Sequence, residues 1–192
     1  DALLLIGANP RWEAPIVNAR IRKRWRSGKL KVGVAGDALD LTYPYTHLSR
    51  KPGVLDSLVH GTHSAADALN AAQNPMLILG AAALTRPDSP AIIAAASALA
   101  VKYGFIKDGW NGYNVLHTAA SRVGGMTIGF TPQQGGHGAR QIPAHCQTVY
   151  LLGADDVDTA ALKDAFVIYQ GHHGDRAAAV ADVILPGAAY TE

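Results

Sequence analysis

Chemistry, if this chain performs any, would have to come from a short set of residues: His172 and His173 in Gly171-His-His-Gly174, the neighbours His145 and Cys146, the aspartates Asp155, Asp156 and Asp158, and the glycine-rich run Gln133-Gln-Gly-Gly-His-Gly138. Paired imidazoles just past an apolar run would suit a metal ion. Adjacent residues of an extended chain point to opposite sides, however, so one ion cannot easily take both, and no third ligand follows close by. One of the two histidines is expected to hydrogen-bond backbone and the other to face a cleft or a partner. His145 and Cys146 are likewise adjacent, which does not suit a thiolate and imidazole that must meet side chain to side chain, and Cys146 reads as a buried structural thiol. The three aspartates lead into Thr159-Ala-Ala-Leu162, where acids in a first helical turn complement the helix dipole. Gln133 to Gly138 carries neither Gly-Lys-Ser/Thr nor the three spaced glycines of a dinucleotide site, and reads as a mobile loop. A nucleophile with its base, a carboxylate pair, a phosphate cradle or a metal set would each need a spacing that these residues lack, so no catalytic residue and no metal ligand is assigned.

The elements that would position a site are written more clearly. Ala2-Leu-Leu-Leu-Ile-Gly-Ala, Met76-Leu-Ile-Leu-Gly-Ala and Thr148-Val-Tyr-Leu-Leu-Gly-Ala are three copies of one pattern, an unbroken apolar run that stops at Gly-Ala. Such a run predicts a strand buried on both faces. Each copy precedes a helical pattern, and alternating strands and helices predict an α/β fold: a doubly wound, mostly parallel sheet with helices on both faces and sites at the carboxyl ends of its strands.

Between these copies, residues 16–26 read as a helix with Ile16, Val17, Ile21 and Trp25 near one face and Pro15 in its first turn. That helix and its exit hold Arg20, Arg22, Lys23, Arg24, Arg26, Lys29 and Lys31, seven of the 17 basic residues. They predict either a solvated face or a contact with protein or phosphate. A strand is expected at 30–36, a packed loop at 39–52, and helices at 54–59 and 64–72, the latter with Ser64 as N-cap and Asp67 as its capping-box acid. Ser89-Pro90 should open an alanine-rich helix at 92–103 that Gly104 closes. Then come a loop at 107–113, a helix at 115–123, a strand at 126–130, a helix at 159–165, a strand at 166–170, a helix at 175–181 and a strand at 182–186 stopped by proline. Two sub-lobes, 1–73 and 74–192, are expected.

Composition excludes several functions. A formal net charge of +2 over 192 residues gives no argument for a nucleic-acid partner, and no apolar run reaches the length of a membrane span. One cysteine excludes an internal disulfide, and also an iron–sulfur cluster or zinc ribbon built from this segment alone. The sequence enters a core strand directly at Asp1 and stops at Glu192, so it reads as an excised part of a longer chain.

Resemblance goes further. Leu5-Ile-Gly-Ala-Asn-Pro10, with Ala181-Asp-Val-Ile-Leu-Pro186 and Glu192, is similar to paired motifs of the molybdopterin oxidoreductase superfamily, which includes formate dehydrogenases, nitrate reductases and DMSO reductases. Glu13-Ala-Pro, Asn18-Ala-Arg-Ile-Arg-Lys23, Asp40-Leu-Thr-Tyr43 and Tyr169-Gln-Gly-His-His-Gly-Asp175 resemble more closely the large iron–sulfur subunits of respiratory complex I, whose C-terminal half is a degenerate member of that superfamily. The resemblance covers essentially the whole segment. It implies a structural and interaction domain that supports electron transfer from NADH to quinone without a redox centre of its own, with iron–sulfur clusters upstream of Asp1. The implied partners are other subunits of the peripheral arm, with neither nucleic acid nor membrane insertion. The implied location is the cytoplasmic face of a bacterial inner membrane or the matrix face of the mitochondrial one. In the molybdenum enzymes the strand after Gly-x-Asn-Pro ends in Asp-Pro-Arg, which helps hold the pterin, whereas here it ends Ala35-Gly-Asp-Ala-Leu-Asp40. Gly7, Asn9 and Pro10 therefore carry over only as the lining of a vestigial pocket. The alternative that the resemblance leaves open is the pterin-binding domain of an active molybdenum-dependent oxidoreductase of the formate dehydrogenase type.

Overall fold

The computed structural model describes residues 1–51, 53–174 and 176–192. Position 52, the last of the expected 39–52 loop, and position 175, the first of the expected 175–181 helix, lie outside the described residues. The elements in chain order are β1 (Ala2–Ile6), α1 (Pro10–Glu13), α2 (Pro15–Arg26), β2 (Lys31–Ala35), β3 (Thr46–Ser49), α3 (Gly53–His60), α4 (Ala66–Asn70), β4 (Pro75–Leu79), α5 (Ala81–Leu84), α6 (Ser89–Tyr103), β5 (Ile106–Lys107), β6 (Trp110–Asn111), β7 (Tyr113–Val115), α7 (Arg122–Thr127), α8 (Ile142–His145), β8 (Thr148–Leu152), β9 (Phe166–Gly171) and β10 (Val183–Pro186).

They form two compact units, Asp1–Arg122 and Val123–Glu192. The division does not fall at 73/74 because β4 pairs in parallel with β1, Leu4 opposite Leu77, so a boundary there would cut the sheet through its centre. The first unit is a five-stranded sheet in the order β3-β2-β1-β4-β7, and every pairing in it is parallel. Successive side chains of β1 feed opposite layers. Leu4 and Ile6 pack with Leu55 and Leu58 of α3, Leu69 of α4 and Leu99 of α6, while Leu3 and Leu5 pack with Ile21 of α2, Leu41 and Tyr43. Every residue of β1 is buried, as a parallel strand covered on both faces requires. The second unit is a three-stranded parallel sheet, β10-β9-β8, over one core of Val149, Leu151, Val167, Tyr169, Leu162 and Ala177.

Several local expectations change. β8 buries only alternate residues, so the third copy of the apolar pattern is covered on one face within this chain, unlike β1 and β4. The 39–52 stretch contains the edge strand β3, which pairs with β2 alone and so needs no long apolar run. The 107–113 loop is a hairpin of β5 and β6, and the expected 115–123 helix is instead the edge strand β7 followed by bends, with α7 starting only at Arg122. That helix also takes the place of the expected 126–130 strand. Residues 159–165 and the described residues 176–181 give only the short 3-10 helices Thr159–Leu162 and Ala178–Val180. Ser64 does not cap α4, whose N-cap is Ala65 with no side-chain bond. α6 behaves as expected: Pro90 lies in its first turn and Gly104 closes it in the left-handed region at φ 64°.

Candidate functional site

The strand order reverses at β1, whose neighbours are β2 on one side and β4 on the other, and this switch point is where open α/β sheets bind ligands. A cleft of about 260 Å³ lies there, lined by Gly7 after β1, Gly36 and Asp37 after β2, Arg50 and Lys51 after β3, Asp56 of α3, and Ala83, Arg86 and Asp88 after β4. Its floor is tight. A Cβ on Gly80 would fall 2.2 Å from the Gly7 carbonyl oxygen and 2.3 Å from Ala8 Cα, and one on Gly7, at φ 54°, would fall 2.6 Å from Ala83 N. The first turns after β1 and β4 can touch only because both residues are glycine.

Glycine N–H groups at this edge of the sheet are engaged within it. Gly7 N–H donates to Ala35 O at 3.0 Å, Gly36 N–H to Ser49 O at 2.9 Å and Gly80 N–H to Ile6 O at 3.0 Å. Two of the three cations are engaged as well: Arg50 pairs with Asp37, and Arg86 forks onto Asp88 through Nε and Nη2 at 2.7 and 2.8 Å. Hydrogen bonds from Arg86 hold the Asp88 carboxyl below its ordinary range. Among the described residues, only Lys51 brings a cation to this lining that is in no ion pair.

Of Gly7, Asn9 and Pro10, Gly7 is the one among the residues lining this cleft. Asn9 stands at the N-cap of α1 without a side-chain capping bond, and Pro10 is fully buried as the first residue of that helix. The other motif residues bond to one another. Glu13 Oε1 accepts the Asn9 backbone N–H at 2.6 Å, Tyr43 donates its hydroxyl to Asn18 Oδ1 at 2.9 Å, and Asp40 pairs with Arg11. Leu41 between them is 1% exposed. Asn18 thus ties the Asp40 to Tyr43 stretch to α2, while Glu13 folds back onto the turn after β1.

In the second unit, His172 and His173 follow β9, but the chain bends there and the rings meet edge to face with centroids 4.6 Å apart, touching through their Nδ1 atoms. The expectation that they point to opposite sides fails because it assumed extended chain. No group of three metal-ligating side chains occurs among the described residues. His145 stacks on His137, centroids 4.2 Å apart, and the half-buried Cys146 packs against the core of this unit. Gln133 to His137 is exposed, Gly138 is half-buried, and the stretch holds one turn. Asp158 caps its 3-10 helix through Ala160 N–H at 3.2 Å, whereas Asp155 instead receives the Tyr169 hydroxyl at 3.1 Å.

The cleft residues Arg50, Lys51, Arg86 and Asp88 escaped the sequence reading. Arg86 and Asp88 follow the second Gly-Ala closely enough to have been found there, but Arg50 and Lys51 depend on β3, whose Thr46-His-Leu-Ser49 carries no apolar run.

The model of the molybdopterin oxidoreductase family matches residues 1–192. The chain belongs to that family. It is 43% identical over 195 residues to the mitochondrial 78 kDa subunit of NADH-ubiquinone oxidoreductase of Neurospora crassa, and 45% identical over 193 residues to the G subunit of NADH-quinone oxidoreductase of Rickettsia felis. It is 42% identical over 193 residues to the mitochondrial NADH dehydrogenase [ubiquinone] iron-sulfur protein 1 of Solanum tuberosum. Each match takes in the whole of this chain but only 25%, 28% and 26% of the relative, so the chain spans about a quarter of the length of these relatives.

A molybdopterin oxidoreductase is named for a bulky, phosphate-bearing pterin, and the cleft can be tested against it. Its 260 Å³ falls below the roughly 300–1,000 Å³ of ordinary ligand pockets. Asp37, Asp56 and Asp88 balance Arg50, Lys51 and Arg86, so the lining has no cationic excess, and its glycine N–H groups already donate within the sheet. These residues do not fit that cofactor.

Proposed function

We propose that residues 1–192 are part of the large iron–sulfur subunit of an NADH:quinone oxidoreductase, respiratory complex I, and that they serve there as a structural and interaction domain. The observation that carries this reading is identity of 42–45% along the entire chain to proteins named as that subunit. The cleft supports it, because a domain kept for its fold need only hold its strand ends together, which the Gly7 and Gly80 approach and the Arg50–Asp37 and Arg86–Asp88 pairs do. In this reading electrons pass from NADH through flavin and iron–sulfur centres to quinone outside this domain. The clusters sit in the N-terminal part of the same polypeptide, and no cofactor is held by residues 1–192.

The partners are other subunits of the peripheral arm, on the cytoplasmic face of a bacterial inner membrane or the matrix face of the mitochondrial one. No helix among the described residues is long and apolar enough to cross a membrane. No observation of the cleft favours the formate dehydrogenase type of function. An affinity tag on the full-length protein, expressed in its own cells, tests the reading. Co-purification of an assembly that oxidises NADH and reduces quinone is the expected result; recovery of a separate enzyme that oxidises formate contradicts it.

A further inference from the structure

The cations of α2 do not form one patch. Positions two apart on a helix stand about 160° apart around its axis, so Arg20 and Arg24 share one flank and Arg22 and Arg26 another. The second flank, together with Lys23, walls an open groove of about 610 Å³ that runs from Pro15 to Ser27 and is lined from outside the helix by Thr42. None of the residues lining the groove is acidic, and Arg22, Lys23 and Arg26 are exposed and in no ion pair with a described residue. Asp40, the acid next to this stretch, is taken by Arg11. The bank opposite α2 is firmly held. Leu41 and Tyr43, on either side of Thr42, are 1% and 6% exposed, and the Tyr43 hydroxyl donates to Asn18 of α2 at 2.9 Å. Thr42 is left exposed at φ 64°, the one non-glycine in the left-handed region among the described residues, a costly conformation for a β-branched side chain that persists because both neighbours are fixed.

We infer that this groove is a docking site for an acidic segment of another protein chain, whose Asp and Glu carboxylates sit against Arg22, Lys23 and Arg26. Charge complementarity selects the occupant. Three like charges this close repel one another and gain most from a partner of opposite sign. Arg22 and Arg26 stand about 6 Å apart along the helix axis, a spacing that carboxylates on alternate residues of an extended strand, or on successive turns of a helix, both match. Each guanidinium can fork onto a carboxylate. A phosphate fits less well, because phosphate sites draw on free backbone N–H groups at helix N-termini, and the backbone donors here are spent. Pro15 has no N–H, Ser27 N–H donates to Arg24 O at 3.2 Å, and Thr42 N–H donates to Asp40 Oδ1 at 3.4 Å.

The inference rests on the proposed place of this chain in a multisubunit complex, and adds which surface meets a neighbour and through what chemistry. Carbodiimide cross-linking, which joins a lysine amine directly to a carboxylate, tests it when read by mass spectrometry on the full-length protein in the assembly it forms in its own cells. Lys23 is expected to be found joined to an Asp or Glu of a different polypeptide. Lys23 joined only to carboxylates of its own chain, or to none, overturns the inference, as does a full-length protein recovered with no partner chain. Arg22→Glu with Arg26→Glu supplies a second readout: recovery of the cross-linked partner should fall more than about tenfold at physiological salt, with the melting temperature unchanged. Arg20→Glu with Arg24→Glu, on the other flank, should leave that recovery as it was. Equal losses from the two pairs would reduce the effect to general charge and overturn the groove. Binding of the full-length protein to anionic phospholipid vesicles or to duplex DNA, abolished by the first pair alone, would give the groove to phosphates and overturn the acidic segment. NADH:quinone activity of the assembly is measured separately. An active assembly without the Lys23 cross-link fails this inference and leaves the proposed function standing, whereas the cross-link in an assembly of another activity does the reverse.

Discussion

Asn18 and Tyr43 show how much of this molecule rests on single polar contacts. Asn18 is 7% exposed, takes the Tyr43 hydroxyl at 2.9 Å and reaches Leu41 O at 3.5 Å, so one amide joins α2 to the loop between β2 and β3. Tyr43→Phe should cost about 1–3 kcal/mol by leaving a buried acceptor without its donor, a loss readable as a lower denaturant midpoint. Burial also pushes the Tyr43 hydroxyl up to about 12 from its ordinary 10. The folded chain then holds a proton that the unfolded chain has released, so its contribution is complete below pH 10 and is lost as pH rises through 10 toward 12. Melting temperature measured across that window should fall for the native chain and fall less for Tyr43→Phe. Some slope should remain in the variant, because burial raises Tyr103 as well. At the cleft floor, Gly80→Ala places a methyl 2.2 Å from a backbone oxygen and should destabilise by about 1–3 kcal/mol through overpacking; an unchanged midpoint would mean that the floor can open. Neither contact was legible in the sequence. Asn18 and Tyr43 lie 25 positions apart, and nothing in Asp40-Leu-Thr-Tyr43 beyond its turn chemistry says which helix it meets.

Elements were legible in proportion to how fully they are buried. β1 and β4 are covered on both faces and were plain as apolar runs, whereas β3 and β7 are short edge strands whose pairing is set by neighbours rather than by their own composition. α2 was found with nearly its true bounds, but its inward face was misread. At about 100° per residue Ile16 lies roughly 140° from Ile21, while Val17, Asn18 and Trp25 cluster around Ile21. Ile16 is accordingly 76% exposed, as is Trp12 of α1, and Asn18 takes its place in the core. The cations from Arg20 to Lys31 are all exposed, and none forms an ion pair among the described residues. An exposed Trp and Ile beside a line of Arg is the composition of an interface anchor, and Arg can fork onto carboxylates of a neighbour. Arg22→Glu with Arg24→Glu should leave the melting temperature of the full-length protein unchanged while reducing the assembled complex on a native gel, since like charges across an interface cost several kcal/mol. Normal assembly would return these cations to a solvated face.

The first unit is a parallel sheet with helices on both faces, and under the proposed function its fold serves without the cofactor its family is named for. The three Gly-Ala strand ends were enough to expect a parallel sheet with its site at the carboxyl edge, and the switch-point cleft is there. That the cleft is small and charge-balanced was legible only in part: the loss of Asp-Pro-Arg after β2 pointed to a changed grip, but the pairing of Arg50 with Asp37 needed β3 to be placed. Division into two units was harder still, because β4 looks like the start of a new lobe in sequence and proves to be the neighbour of β1. Under the proposed function this domain supports a complex I subunit without holding a pterin. That absence is tested by the molybdenum and tungsten content, together with the fluorescence of oxidised pterin, per polypeptide of the full-length protein purified from its own cells. Iron in quantity with neither molybdenum nor tungsten nor pterin above background is the expected result; one pterin and one such metal atom per polypeptide would overturn the proposal.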